Sequence, residues 1–289
     1  PNSIGSAPDA LEPGWEGSTL PPGWQEILNL ESRLKVLMVV PKFPITFWGL
    51  HYSFRDILSG PKYILPPLPL MTVAALLPKG WNVRLLDENV RDLTAAELAW
   101  SDVVMINAMV VQKEGVQTIT QRAHALGKTV VLGGPDPTIA PERYPDVDYL
   151  HQGEVGDATV DLVLHLARDF KRPLRQRIFK VNAKVPISAL PPPRNDLIRP
   201  TDYLSMSLQF AVGCPFNCEF CDIIEIYGRK PRVKHPTQVI RELDGIWATG
   251  YRGTVFFVDD NFIANLPKVK ALIPHLIRWQ KERGFPFQF

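Results

Sequence analysis

The chain has 289 residues, 45% of them hydrophobic, with 32 Lys and Arg against 30 Asp and Glu. At roughly 150 residues per domain the length suggests two domains, and the apolar share excludes a wholly disordered chain. A net charge of +2 argues against a dedicated nucleic-acid binder, and no apolar run reaches the ~18 residues of a transmembrane helix.

Residues 1–33 are rich in Pro, Gly and Ser, lack periodicity and read as a flexible leader. No signal-peptide pattern is visible there. The first residue, Pro1, reads as something other than a translational start. From residue 34 the texture changes. Residues 34–40 (LKVLMVV) form a nearly continuous apolar run, as expected of a strand buried on both faces. An aromatic loop follows, with Phe43, Phe47, Trp48, His51, Tyr52 and Phe54, and then a helix over 68–77. Strands are predicted at 81–86, 102–109, 128–132 and 147–151, and helices at 93–100, 114–126 and 158–170. Gly127 is placed to end the 114–126 helix. This alternation predicts an α/β fold, a doubly wound parallel sheet over 34–170.

Residues 171–204 carry a basic start and the break Pro191-Pro192-Pro193, and read as a linker. A second βα series opens at 205. A strand over 205–212 runs into a cysteine-containing loop. A helix over 237–249 has Pro236 at its first position and Gly250 after it. A strand over 254–258 ends in Asp259-Asp260-Asn261. A helix over 269–283 with a kink at Pro274 leads to a third strand over 285–289. Residues 205–289 therefore read as the first part of a (β/α) partial barrel. A complete barrel takes roughly 200 residues or more, so the chain is expected to be truncated and poorly active alone.

The cysteines are Cys214, Cys218 and Cys221, spaced x3 and x2. A secreted disulfide scaffold would spread an even number along the chain. An odd local cluster without an export signal suggests a reducing, cytoplasmic setting. Three thiolates on one loop can ligate three irons of a cubane cluster and leave the fourth iron open. A zinc site with His235 as fourth ligand is an alternative, as are three plain structural cysteines. The following basic run, Arg229, Lys230, Arg232 and Lys234, reads by default as a solvated face, with one arginine as a candidate carboxylate partner.

The Cys-x3-Cys-x2-Cys spacing, with Phe220 before the last cysteine, resembles the radical S-adenosylmethionine (SAM) signature. That resemblance implies a [4Fe-4S] cluster on Cys214, Cys218 and Cys221, with SAM on the open iron. One-electron reduction would then yield a 5′-deoxyadenosyl radical. It also implies SAM contacts from Phe220 and from Asp259, Asp260 and Asn261, which stand where the family usually has Gly-Gly-Glu.

In the first domain, Asn107-Ala108-Met109, Gly133-Gly134-Pro135 and Gly153-Glu154 end predicted strands, where open α/β sheets bind ligands. No Gly-x-Gly-x-x-Gly follows the first strand, which counts against a dinucleotide site. The order of segments resembles the cobalamin-binding domain that precedes radical SAM domains. The resemblance implies cobalamin contacts at Asn107, Met109, Gly133, Gly134, Pro135, Gly153 and Glu154. The motif Asp-x-His-x-x-Gly is absent around His51, so cobalamin is expected without a histidine lower ligand, and His51 is read as an ordinary loop histidine.

The segments Gly153-Glu154-Val155-Gly156-Asp157-Ala158-Thr159, Tyr227-Gly228-Arg229 and Phe257-Val258-Asp259-Asp260-Asn261-Phe262 look most like the subgroup that includes hopanoid C-2 methylases. The implied function is a cobalamin-dependent radical SAM enzyme that methylates an unactivated carbon. Its substrate would be a small, lipid-like molecule and its electron donor external, such as flavodoxin or ferredoxin. A cyclisation or rearrangement without methyl transfer, and a non-catalytic iron–sulfur or zinc protein, are the competing readings.

Overall fold

The structure is a computed structural model that describes residues 20–21, 23–45 and 60–289. Residues 1–19 of the expected leader, and Phe47, Trp48, His51, Tyr52 and Phe54 of the aromatic loop, lie outside the described residues.

The first domain is a parallel sheet of β1 (Lys35–Val40), β2 (Asn82–Asp87), β3 (Val103–Asn107), β4 (Thr129–Gly133), β5 (Tyr149–Gln152) and β6 (Arg177–Lys180). The strand order is β2-β1-β3-β4-β5-β6. β1 is paired on both sides, in register with β2 (Val36 opposite Val83) and with β3 (Val36 opposite Val103). That position explains why its sequence is apolar on both faces. Its side chains alternate between two cores. Val36, Met38 and Val40 face one core, with Leu70, Ala74, Leu162 and Leu166. Leu37 and Val39 face the other, with Leu98, Val116, Ile119 and Ala123.

The reading of residues 1–33 as a leader fails at its C-terminal end. Trp24–Leu28 is a short helix whose Trp24 and Ile27 are fully buried in the first core. The reading of 171–204 as irregular also needs correction. Arg177–Lys180 pairs in parallel with β5, and the sheet therefore runs past residue 170.

The second unit is a parallel sheet of order β11-β10-β7, built from β7 (Ser205–Leu208), β10 (Gly253–Phe257) and β11 (Phe287–Gln288). Helices Pro236–Ala248 and Leu266–Glu282 cover it through Val239, Leu243, Leu272 and Trp279. The single strand expected over 205–212 is split. β7 stops at Leu208, and Ala211–Val212 (β8) turns away to pair antiparallel with Arg232–Val233 (β9). A backbone seam joins the two units: Leu204 N donates to Tyr63 O at 2.9 Å and Ser205 N to Ile64 O at 3.0 Å. Tyr203 Oη donates across the same seam to the buried Asp87 Oδ2 at 3.2 Å. Among the described residues no helix is long and apolar enough to cross a membrane.

Candidate functional site

The three cysteines sit on the loop between β8 and β9. Its root is built to close tolerance. Gly213 has φ +92°, and a Cβ there would lie 2.8 Å from Gly228 O, so no side chain is tolerated. Cys214 N donates to the same Gly228 O at 3.2 Å. The strand end Asp259-Asp260-Asn261 grips this root from below. Asp259 Oδ1 accepts the amides of Phe210 and Ala211 at 2.7 and 2.8 Å. Asp260 Oδ2 accepts Gly213 N at 2.7 Å. Asn261 Nδ2 lies 3.8 Å from Cys214 Sγ.

Both carboxylates are thus committed to backbone amides through one oxygen. The other oxygen of Asp259 is buried without a partner, and burial pushes its pKa up to about 6. The pKa of Asp260 is also raised, first by burial. Phe220, expected to pack beside a ligand, is 93% exposed.

The donor set suits iron–sulfur chemistry. All three thiols lie on one short loop, none in a disulfide, with Cys218 exposed and Cys214 and Cys221 half-buried. Among the described residues no three His, Cys, Asp or Glu side chains converge as a metal site. His235, the alternative fourth zinc ligand, caps helix Pro236–Ala248 through its Nδ1, which accepts Thr237 N at 3.3 Å.

The basic run after the loop is not one solvated face. Lys234 is buried in an ion pair with the buried Glu242. Arg232 Nη2 donates to Glu154 Oε1 at 2.8 Å and to Tyr227 O at 3.1 Å. Only Arg229 and Lys230 are exposed, and Arg229 bonds Asn217 Oδ1 at 2.5 Å.

On the first sheet, the predicted segments do end strands on the same edge. Gly134 has φ +118°, and a Cβ there would meet Ala108 O at 2.7 Å and Asn107 Nδ2 at 3.0 Å. The glycine is therefore required first by contact with the neighbouring strand end. Pro135 opens the short helix Pro135–Ile139. Gly153 has φ +107° and its amide donates to Thr138 Oγ1 at 3.0 Å.

Beyond β3 the chain presents Met109, Val110 and Val111, exposed by 48%, 56% and 51%, and Ile139 stands half-exposed beyond β4. Open α/β sheets bind ligands beyond the carboxyl ends of their strands, which is where these apolar side chains stand exposed. Met109 is among the residues expected from the sequence to face a ligand; Val110, Val111 and Ile139 are not, and all four are exposed. The signal for Val110 and Val111 was an apolar run that continues past Met109, the last residue of the strand predicted over 102–109. Glu154 was expected to touch cobalamin. Its Oε1 is occupied by Arg232 and by Lys184 Nζ at 2.6 Å. His151, on β5, bonds Thr159 Oγ1 at 2.8 Å, and burial lowers its pKa to about 4.

The structure is thus a parallel α/β sheet with a β1/β3 switch point, where such sheets bind ligands, followed by a βα series that opens on a tri-cysteine loop. Comparison with known proteins makes this specific. The B12 binding domain model matches residues 55–163. The chain is 42% identical over 258 residues to the hopanoid C-2 methylase of Rhodopseudomonas palustris (strain TIE-1), covering 89% of this chain and 49% of the relative. It is 44% identical over 260 residues to an uncharacterised methyltransferase of Synechocystis sp., covering 89% of this chain and 47% of that protein. The cobalamin-dependent S-adenosylmethionine radical enzyme OxsB, solved with aqua-cobalamin and S-adenosylmethionine bound, shares the fold. That match has a TM-score of 0.60 at 19% identity and covers 85% of this chain and 37% of OxsB. Residues 55–163 thus match a B12 binding domain, the chain is similar in sequence to hopanoid C-2 methylase, and its fold is like that of OxsB. It spans about half the length of these curated relatives.

Proposed function

We propose that the protein is a cobalamin-dependent radical SAM enzyme that methylates an unactivated carbon of a small, lipid-like substrate. The observation that supports it most is the placement of the cysteine loop against the first sheet. Arg232, at the base of that loop, bonds Glu154, at the C-terminal end of β5. The two candidate cofactor sites thus adjoin along one edge.

Cys214, Cys218 and Cys221 would hold a [4Fe-4S] cluster. Asn107, Met109, Gly133, Gly134, Pro135 and Gly153, with Val110, Val111 and Ile139, would line the cobalamin crevice. Once bound, the cluster with SAM would supply one-electron cleavage of SAM, and cobalamin would supply the methyl group. The chain's own work is placement. Asp259 and Asp260 fix the loop root through amide hydrogen bonds. The apolar residues beyond the strand ends would exclude water from a bound corrin, and the exposed Phe220 would pack on bound SAM. An external donor such as flavodoxin or ferredoxin would deliver the electron, which suits a reducing cytoplasm. The substrate class is supported by the hopanoid C-2 methylase relative.

The test is anaerobic reconstitution followed by assay of SAM under strong reductant. Formation of 5′-deoxyadenosine, with the label of methyl-labelled SAM in the product, is the expected result. An unlabelled, isomerised product would mean rearrangement instead. One zinc per chain and no SAM cleavage would mean a non-catalytic protein.

A further inference from the structure

We propose that Glu154 and Arg232 are a positioning pair that transmits cobalamin binding in the first domain to the cysteine loop. This rests on the functional reading above and concerns how its two halves communicate.

Glu154 stands just past the end of β5, beside the proposed cobalamin crevice. It follows Gly153, where a Cβ would lie 3.0 Å from Val181 Cβ. The Gly153 amide is tied to Thr138, in the helix that begins just after Gly133-Gly134. A ligand that presses on the ends of β4 and β5 therefore presses on the Glu154 backbone.

Arg232 is equally fixed on the loop side, through the β8–β9 pairing of Arg232 with Val212. One nitrogen, Nη2, bonds both Glu154 Oε1 and Tyr227 O. The residue after Tyr227, Gly228, accepts the Cys214 amide. Asp260 completes the circuit. It accepts Gly213 N at 2.7 Å, next to Cys214. From the end of β5 to Cys214 the path is unbroken: Glu154, Arg232, Tyr227-Gly228, Cys214. Lys184 Nζ shares Glu154 Oε1, and its backbone is bridged to Gly156 on the first-domain side of the pair.

A pair that only joined surfaces would contribute little and carry nothing onward. A pair that couples two sites gives a measurable free energy between them, and removing either partner removes the same quantity.

The experiment uses the full-length protein with its cluster reconstituted and hydroxocobalamin as the probe. Hydrogen–deuterium exchange over 213–230 is followed with and without the probe, and affinity is read by absorbance titration. In the wild type, cobalamin should slow exchange in this segment by about fivefold or more. Glu154→Gln and Arg232→Gln should bind the probe with nearly unchanged affinity yet lose that protection. The double variant should lose no more than either single variant, Arg232→Lys should recover part, and Lys184→Gln should keep it. Protection that persists in both single variants, or losses that multiply in the double variant, would overturn the proposal. Equal loss in Lys184→Gln would overturn it too. A wild type that binds cobalamin without protecting the loop sinks the coupling and leaves the function standing. A wild type that does not bind cobalamin removes the functional reading and this proposal together.

Discussion

Asp259 holds two consecutive amides, those of Phe210 and Ala211, at the point where the chain leaves β7 for the cysteine loop. Asp259→Ala would leave both donors without an acceptor, at about 1–3 kcal/mol for each buried group. Asp259→Asn keeps an acceptor oxygen and should cost less. Urea midpoints should rank wild type, Asn, then Ala, and iron retained per chain after reconstitution should follow the same order. His151 gives the pH prediction. Burial depresses its pKa from 6.5 to about 4. Between those values the unfolded chain binds the proton and the folded chain does not, so this contribution is full above pH 6.5 and is lost as pH falls toward 4. At about 1.4 kcal/mol per pH unit, the whole contribution is on the order of 3 kcal/mol. The His151 ring signal in an NMR titration should stay flat from pH 8 to 5.5; a midpoint near 6.5 would contradict the burial argument.

At the scale of elements, Lys234 on the segment leaving β9 and Glu242 on helix Pro236–Ala248 form a pair buried on both sides. Burial is the main influence raising the Glu242 pKa, and Lys234 opposes it. Lys234→Met alone should destabilise by about 3–5 kcal/mol, because it strands a buried carboxylate, whereas Lys234→Met with Glu242→Leu should be near neutral. Thermal midpoints of the three proteins decide this. Gly134→Ala should be among the most damaging single-methyl changes, since its Cβ would lie 2.7 Å from a backbone oxygen at a positive φ. Most of these elements were legible. Apolar runs gave the buried strands, and the spacing of three cysteines gave the loop. What escaped has physical reasons. Arg177–Lys180 (RIFK) is an edge strand with three exposed residues, so it carries no buried pattern. Helix Trp24–Leu28 is too short to show periodicity and is held to the core by Trp24 and Ile27. Arg232-Val233-Lys234 looked like a charge run because sequence does not reveal which charges find buried partners.

For the whole molecule, the informative region is the seam between the two units. The hydrogen bond from Tyr203 to Asp87 spans 116 residues of sequence and joins the end of β2 to the approach of β7. Tyr203→Phe leaves the buried Asp87 without that donor, and its pKa, already raised by burial, should climb further. The expected result is a loss of about 1–3 kcal/mol, with faster proteolytic cleavage between residues 186 and 204. Unchanged cleavage would mean that the backbone bonds of the seam suffice without it. No sequence pattern announces such a contact, because each partner looks ordinary in its own neighbourhood.

The place of β1 has a consequence for how the chain is made. It is the first strand of the sheet to leave the ribosome, yet both of its partners come later, β3 only after Val103 has been synthesised. Until then KVLMVV is an apolar, β-prone segment with a single charge at one end and no neighbour to pair with. The interval between translation of β1 and of β3 is thus the window of greatest aggregation risk. Slowed elongation across residues 41–103 should raise the insoluble fraction more than the same slowing after residue 133, once β1, β3 and β4 can pair.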